Sequence, residues 1–204
     1  MKLFFGGLSP FVRKVMISAH ELGVIDHIET NPEMVTPFKT NDEVAAVNPL
    51  GKIPAAVLDD GSALYGSGVI CEYLDVQYGQ GRLFPAGPKR WTALRRAALG
   101  DGILEAGSLA RIETLRPEGT QWQDWREHQL AKVLRSLAAA EAEADQLATD
   151  AVTIGEITLG CALGWLDVRL PDVDWRAGNA GLTHWFATIS GRPSFAATRP
   201  VLPK

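Results

Sequence analysis

The chain has 204 residues, 46% hydrophobic and 22% charged, with a formal net charge of −4. That balance belongs to a folded globular protein of one large domain or two small ones, and a chain of this length encloses a core without disulfides or a metal. The acidic balance and the lack of any dense basic run argue against nucleic-acid binding. No stretch approaches the ~20 apolar residues of a membrane span or the apolar run of a signal peptide, so a cytoplasmic protein with no membrane partner is expected.

Lys2 to Phe5 predicts a short strand, closed by Gly6 and Gly7. Ser9 and Pro10 then read as a helix start, with serine as N-cap and proline at the first helical position. Val12, Val15, Met16, Ala19 and Leu22 recur at helical spacing and Gly23 closes the helix. His27 to Thr30 alternates as a second strand. Ala55 to Leu58 is a third, and Asp60-Gly61 is a hairpin turn leading to a return strand at Ala63 to Tyr65. From Ser67 the pattern is helical again, through Val69, Ile70, Tyr73 and Leu74. This order predicts a mixed sheet with helices on its faces.

Gly79 to Pro88 is rich in glycine and proline and reads as a linker. Beyond it only helices are expected: one from Lys89 to about Arg116, stopped by Pro117, and another from Trp122 to Thr149 with Leu130, Val133, Leu134, Leu137, Ala140 and Ala144 on one face. Thr153 and Glu156 have capping-box spacing ahead of the apolar helix Ile157 to Val168. A last helix spans Leu182 to about Ser190. Cys71 and Cys161 are far apart, lack metal-ligand or Cys-x-x-Cys spacing, and read as buried structural thiols. None of the four histidines falls in a metal-like cluster, so no metal is expected.

Ser9-Pro10-Phe11-Val12-Arg13-Lys14-Val15 and Asn48-Pro49-Leu50-Gly51-Lys52-Ile53-Pro54 resemble the bacterial glutathione S-transferases, closest to small serine-type members. Thr153 and Glu156 lie where that family has its capping box, usually with aspartate at the second position. Trp185 followed by Arg192-Pro193-Ser194-Phe195 is similar to its C-terminal signature. The resemblance covers nearly the whole chain. It implies an α/β N-terminal thioredoxin-like domain with a four-stranded mixed sheet (1–79), a linker (80–88) and an all-α C-terminal helical domain (89–204). It also implies glutathione as co-substrate, a small hydrophobic electrophile as second substrate, and a homodimer.

Ser9 is the candidate catalytic residue. A hydroxyl at a helix N-terminus lies beside unsatisfied N–H groups and a positive dipole end, where a thiolate is stabilised. The resemblance has Ser9 donate a hydrogen bond to the glutathione sulfur, and the plain alternative is a helix cap. A hydroxyl can accept one bond and donate another. The resemblance also implies a cis Ile53–Pro54 peptide, with Ile53 N–H and C=O pairing with glutathione as an added strand. An ordinary trans proline starting an edge strand is the local alternative.

Ser67 is the candidate for the γ-glutamyl carboxylate, an anion at a helix N-terminus. The position before it carries Glu or Asp in most of the family, to hold the γ-glutamyl ammonium, and here it is Gly66. Loss of a charge-assisted hydrogen bond worth roughly 1.5–3 kcal/mol would weaken glutathione about ten- to a hundred-fold. Asp101, flanked by Gly100 and Gly102, is the candidate replacement, reaching the ammonium across a dimer interface. Lys39 and Lys52 are candidates for the glycyl carboxylate, with a plain surface role as the alternative. Phe11, Leu104, Ser108 and Arg111 are assigned by analogy to the electrophile pocket. Two rivals remain: a disulfide reductase on the same fold, disfavoured because position 9 is not cysteine, and a non-catalytic binding or interaction protein, favoured by Gly66.

Overall fold

Four short strands and the helices around them organise the first part of the chain. The computed structural model describes residues 1–200. It divides into two compact units, Met1–Ala86 joined by the segment from Pro193 onward, and Gly87–Arg192. In the first, β1 (Lys2–Phe5), α1 (Pro10–Leu22), β2 (Glu29–Pro32), α2 (Asp42–Val47), β3 (Ala55–Val57), β4 (Ala63–Tyr65) and α3 (Ser67–Leu74) follow in order. The sheet order is β2-β1-β3-β4; β1 and β2 are parallel, and the other two pairings are antiparallel. The second strand starts two residues later than the alternation predicts, because Ile25–His27 coil into a 3₁₀ turn.

Helix α1 starts at the predicted Ser9 cap and ends at Gly23, whose φ of +73° suits a left-handed C-cap. Its burial is wider than one stripe: Arg13, Lys14 and Ser18 are enclosed as well as Val12, Val15 and Ala19. Ser18 Oγ donates to Cys71 Sγ of α3 at 3.3 Å, and Arg13 is covered by α8 (Pro193–Ala197), a short helix that periodicity could not find. It lies against α1, where Arg13 Nη2 donates to the Phe195 carbonyl at 3.2 Å and Ser194 Oγ to Glu21 at 2.5 Å. These contacts lie within the first compact unit.

The stretch read as a linker begins inside the first unit too. Asp75, 1% exposed, accepts hydrogen bonds from the backbone N–H groups of Leu83 (3.0 Å) and Phe84 (2.9 Å), and both side chains are buried. A Cβ on Gly79 would sit 2.0 Å from the Asp75 carboxylate. Only glycine leaves room for this bridge.

In the second unit, α4 (Pro88–Thr114) packs against both α5 (Gln123–Glu141) and α6 (Ile154–Arg169), α7 (Ala180–Ile189) touches α5 and α6, and α6 is buried from Ile154 through Leu166. Added Cβ atoms would fall 2.9 Å from the Thr158 backbone at Gly100 and 2.9 Å from the Ala93 carbonyl at Gly155. Small residues thus let α4 and α6 meet backbone to backbone. The Thr153–Glu156 capping box is formed, and Glu156 also receives Arg96 at 2.9 Å. Arg96 and Arg95 share Glu143, which follows the end of α5. Trp165, Trp175 and Trp185 are core residues, and Cys71 and Cys161 are buried free thiols. Among the described residues no helix is long and apolar enough to cross a membrane.

Candidate functional site

Topology gathers the predicted residues of the first unit at one end of the sheet. Phe4 near the end of β1 pairs with Ala55 at the start of β3, and Ala55 pairs with Tyr65 at the end of β4. The residues after β1, before β3 and after β4 therefore share that end: Ser9, Ile53–Pro54 and Gly66–Ser67. Strand β2, parallel to β1, finishes there as well, with Phe5 opposite Pro32, and the loop bearing Lys39 departs from it. A Cβ on Gly6 would be 2.6 Å from Ile53 Cδ1, a measure of how closely the β1 exit meets the Ile53 turn.

Ser9 is half-buried, and its Oγ accepts from the Val12 N–H at a long 3.3 Å. Accepting that bond leaves the hydroxyl proton free to donate elsewhere. The Ile53–Pro54 peptide is cis, Pro54 is buried and Ile53 half-buried. Lys52 and Lys39 are exposed. Asn48, which the motif contains but no functional argument singled out, shapes this turn. Its buried amide donates to the Lys52 carbonyl at 2.7 Å and accepts from Leu50 N–H at 3.1 Å. The Asn-Pro pair was the available signal, since asparagine before proline initiates turns.

Gly66 is the N-cap of α3, with φ +87° and ψ +122°, a conformation L side chains rarely adopt. No side chain caps the helix, so the N–H groups of its first turn, beginning at the buried Ser67, have no side-chain acceptor. Ser67 is the first residue of the helix and not its cap.

The remaining predicted residues lie in the second unit, on α4, except Phe11 on α1. Phe11 is half-buried, with Lys14 Nζ 5.9 Å from its ring centre. Asp101 is half-buried; its neighbour Gly100 serves the approach of α6 in the same chain, and Gly102 has open space around it. Leu104 is fully enclosed, whereas Ser108 and Arg111 are half-buried. Arg111 Nη1 donates to the carbonyl of Arg169 at 3.3 Å, and its buried Nε has no hydrogen-bond partner. Burial, and then the Arg111 charge, pull the Arg169 guanidinium below its ordinary pKa. Sequence reading missed Arg169, which is distant in the chain from Arg111.

Comparison with known proteins agrees with this arrangement. The family model for the glutathione S-transferase N-terminal domain matches residues 8–77, and that for the C-terminal domain matches residues 123–188. The GST-like protein YibF of Escherichia coli K12 is 34% identical over 98% of each chain. A glutathione transferase family member from Pseudomonas fluorescens Pf-5, solved with bound glutathione, is 42% identical over 98% of this chain and 99% of its own, with a TM-score of 0.95. A second structure from that source, with bound S-(propanoic acid)-glutathione, is 42% identical over 99% and 100% of the two chains, with a TM-score of 0.89.

Proposed function

We propose a function that proceeds from what the chain is: a member of the glutathione S-transferase family. It binds reduced glutathione on the first unit and activates the thiol for reaction with a small hydrophobic electrophile. The observation that carries this reading is the gathering of Ser9, cis Ile53–Pro54 and the uncapped start of α3 at one sheet end. The cysteinyl backbone of glutathione pairs with Ile53 N–H and C=O as an added strand. Its γ-glutamyl carboxylate takes the Ser67 hydroxyl and the N–H groups of α3. Lys52 and Lys39 supply positive charge for the glycyl carboxylate. The similar structures from Pseudomonas fluorescens, one with bound glutathione and one with bound S-(propanoic acid)-glutathione, support glutathione as the ligand.

Ser9 donates its hydroxyl proton in a hydrogen bond to the sulfur, at the positive end of α1, and so favours the thiolate. The thiol proton leaves to solvent and the sulfur lone pair forms the C–S bond. The leaving group departs with the bonding pair, or, in addition to an activated double bond, the displaced π pair takes up a proton. On the first unit Phe11, and on α4 of the second Ser108 and Arg111, are each partly exposed and so have surface to offer an electrophile, whereas Leu104 is enclosed and has none. In a homodimer, Asp101 meets the ammonium of the other subunit's glutathione in place of the carboxylate absent at Gly66.

Steady-state turnover of a panel of electrophiles by wild type and Ser9→Ala tests the catalytic assignment. One lost hydrogen bond to a charged group is worth roughly 1.5–3 kcal/mol, so kcat/KM should fall about ten- to a hundred-fold. The pKa of the bound thiol should rise by about 1–2 units. Activity that survives Ser9→Ala removes Ser9 from the mechanism. Gly66 favours a second reading, a non-catalytic glutathione-binding or interaction protein, which glutathione binding without turnover of any electrophile would support.

A further inference from the structure

Ile53 lies in the turn between α2 and β3 and belongs to neither element. Among the described residues nothing accepts from its N–H and nothing donates to its carbonyl. Its side chain is packed against the core cluster of Phe4, Val44 and Ala55, so the residue is anchored while its backbone polar groups stay unpaired. Backbone groups this close to a core are nearly always paired, by protein, water or ligand. An unmet N–H and C=O on one residue are what an added extended chain takes up.

The N–H is aimed by Asn48, 2% exposed, at the C-terminal end of α2. Asn48 Nδ2 donates to the Lys52 carbonyl at 2.7 Å, and Oδ1 accepts from the Leu50 N–H at 3.1 Å. The Asn48 carbonyl accepts from the Gly51 N–H at 2.8 Å, where Gly51 takes φ +62°. Part of this is ordinary turn chemistry, since an aspartate would accept from Leu50 in the same way. The bond to Lys52 is different. It needs a donor on the same short side chain, and among side chains of that length asparagine alone supplies both. The Lys52 C=O and the Ile53 N–H belong to one peptide unit, trans and planar, so they point in opposite directions. Drawing the carbonyl towards Asn48 turns the Ile53 N–H away from it.

We infer that Asn48 is a positioning residue for the thiol substrate, holding the Lys52–Ile53 peptide so that the Ile53 N–H meets the cysteinyl carbonyl of glutathione. The role rests on the glutathione reading above and adds to it the group that fixes the recognising N–H. No bond or proton changes at Asn48. It therefore acts on affinity and leaves the acidity of the bound thiol to Ser9.

The test is calorimetric titration of the full chain with reduced glutathione, for wild type, Asn48→Asp and Asn48→Ala. The aspartate keeps the acceptor for Leu50 and removes the donor to Lys52, whereas the alanine removes both. Each variant should bind about tenfold or more weakly, the worth of one misdirected hydrogen bond, at unchanged stoichiometry. A residue that merely holds the fold together would lower the number of binding sites and leave the affinity of the rest unchanged, and that result overturns the role. So does a folded variant whose affinity stays within about threefold of wild type. If neither variant folds, nuclear magnetic resonance of the wild type decides. On saturation with glutathione the Ile53 amide proton should move downfield as it gains an acceptor, while the Asn48 side-chain amide signals stay in place; an unmoved Ile53 signal overturns the role. Wild type that binds no glutathione at tens of millimolar overturns the glutathione reading and this role together, whereas wild-type binding with unaffected variants overturns the role alone.

Discussion

Gly66 occupies a backbone conformation, φ +87° and ψ +122°, that a substituted side chain enters only at a cost. Such sparsely populated conformations cost of order 1–3 kcal/mol for a residue with a Cβ. The space itself is not limiting, because an added Cβ would meet only Val69 Cγ2 at 3.8 Å, an ordinary contact. Gly66→Glu therefore loses stability by backbone strain alone, and gains a carboxylate at the position where the family usually has one. If that carboxylate reaches the γ-glutamyl ammonium, roughly 1.5–3 kcal/mol returns as binding, about ten- to a hundred-fold in affinity. Gly66→Ala separates the two effects, since it carries the same strain with no carboxylate. Denaturant unfolding should show both variants destabilised to a similar extent, and titration with reduced glutathione should show only the glutamate variant tightened. Two results would refute this reasoning: a glutamate variant that folds but binds no tighter than wild type, or an alanine variant of unchanged stability.

The second unit gives three further predictions. Arg96→Met leaves Glu156, 2% exposed, without its ion-pair partner, and breaking a buried pair in this way costs roughly 3–5 kcal/mol in chemical unfolding. Hydrogen bonds from Arg95, and secondarily from Arg96, hold the Glu143 carboxyl below its ordinary pKa against the opposing effect of burial. Its stabilising contribution is thus complete above about pH 4.3 and is lost as pH falls through the lowered folded value; Arg95→Met should flatten that acid slope. Glu141 accepts from the N–H groups of Gly181 (2.8 Å) and Leu182 (2.7 Å), capping α7 where Asn179 provides no side-chain cap. Glu141→Ala should cost about 1–3 kcal/mol, read as a lower denaturation midpoint at unchanged slope.

Local signals located much of this structure. Ser9, Pro10 and Gly23 mark both ends of α1, and Thr153 with Glu156 marks the start of α6, because caps are chemistry between near neighbours. Long-range events were not legible. Helix α5 stops at Glu141, several residues before the periodic pattern does. Past that point Glu143 is drawn to Arg95 and Arg96, and Ala144–Gln146 form a separate turn. Helix α8 has five residues, too few to show a period, and its packing is what buries Arg13. The cis bond at Ile53–Pro54 was implied by resemblance and not by any local propensity. In the candidate site the motif pointed to Ser9, Ile53 and Ser67. The buried Asn48 amide and the Arg111–Arg169 pair depend on distances that only the fold brings together.

Titrating purified wild-type protein with reduced glutathione in a calorimeter tests the central claim most directly. Saturable heat with a dissociation constant in the millimolar range or tighter is expected, despite glycine at position 66. No heat at tens of millimolar glutathione would contradict it, and would mean that the surface formed by Ser9, Ile53–Pro54 and Ser67 serves another thiol or a protein partner.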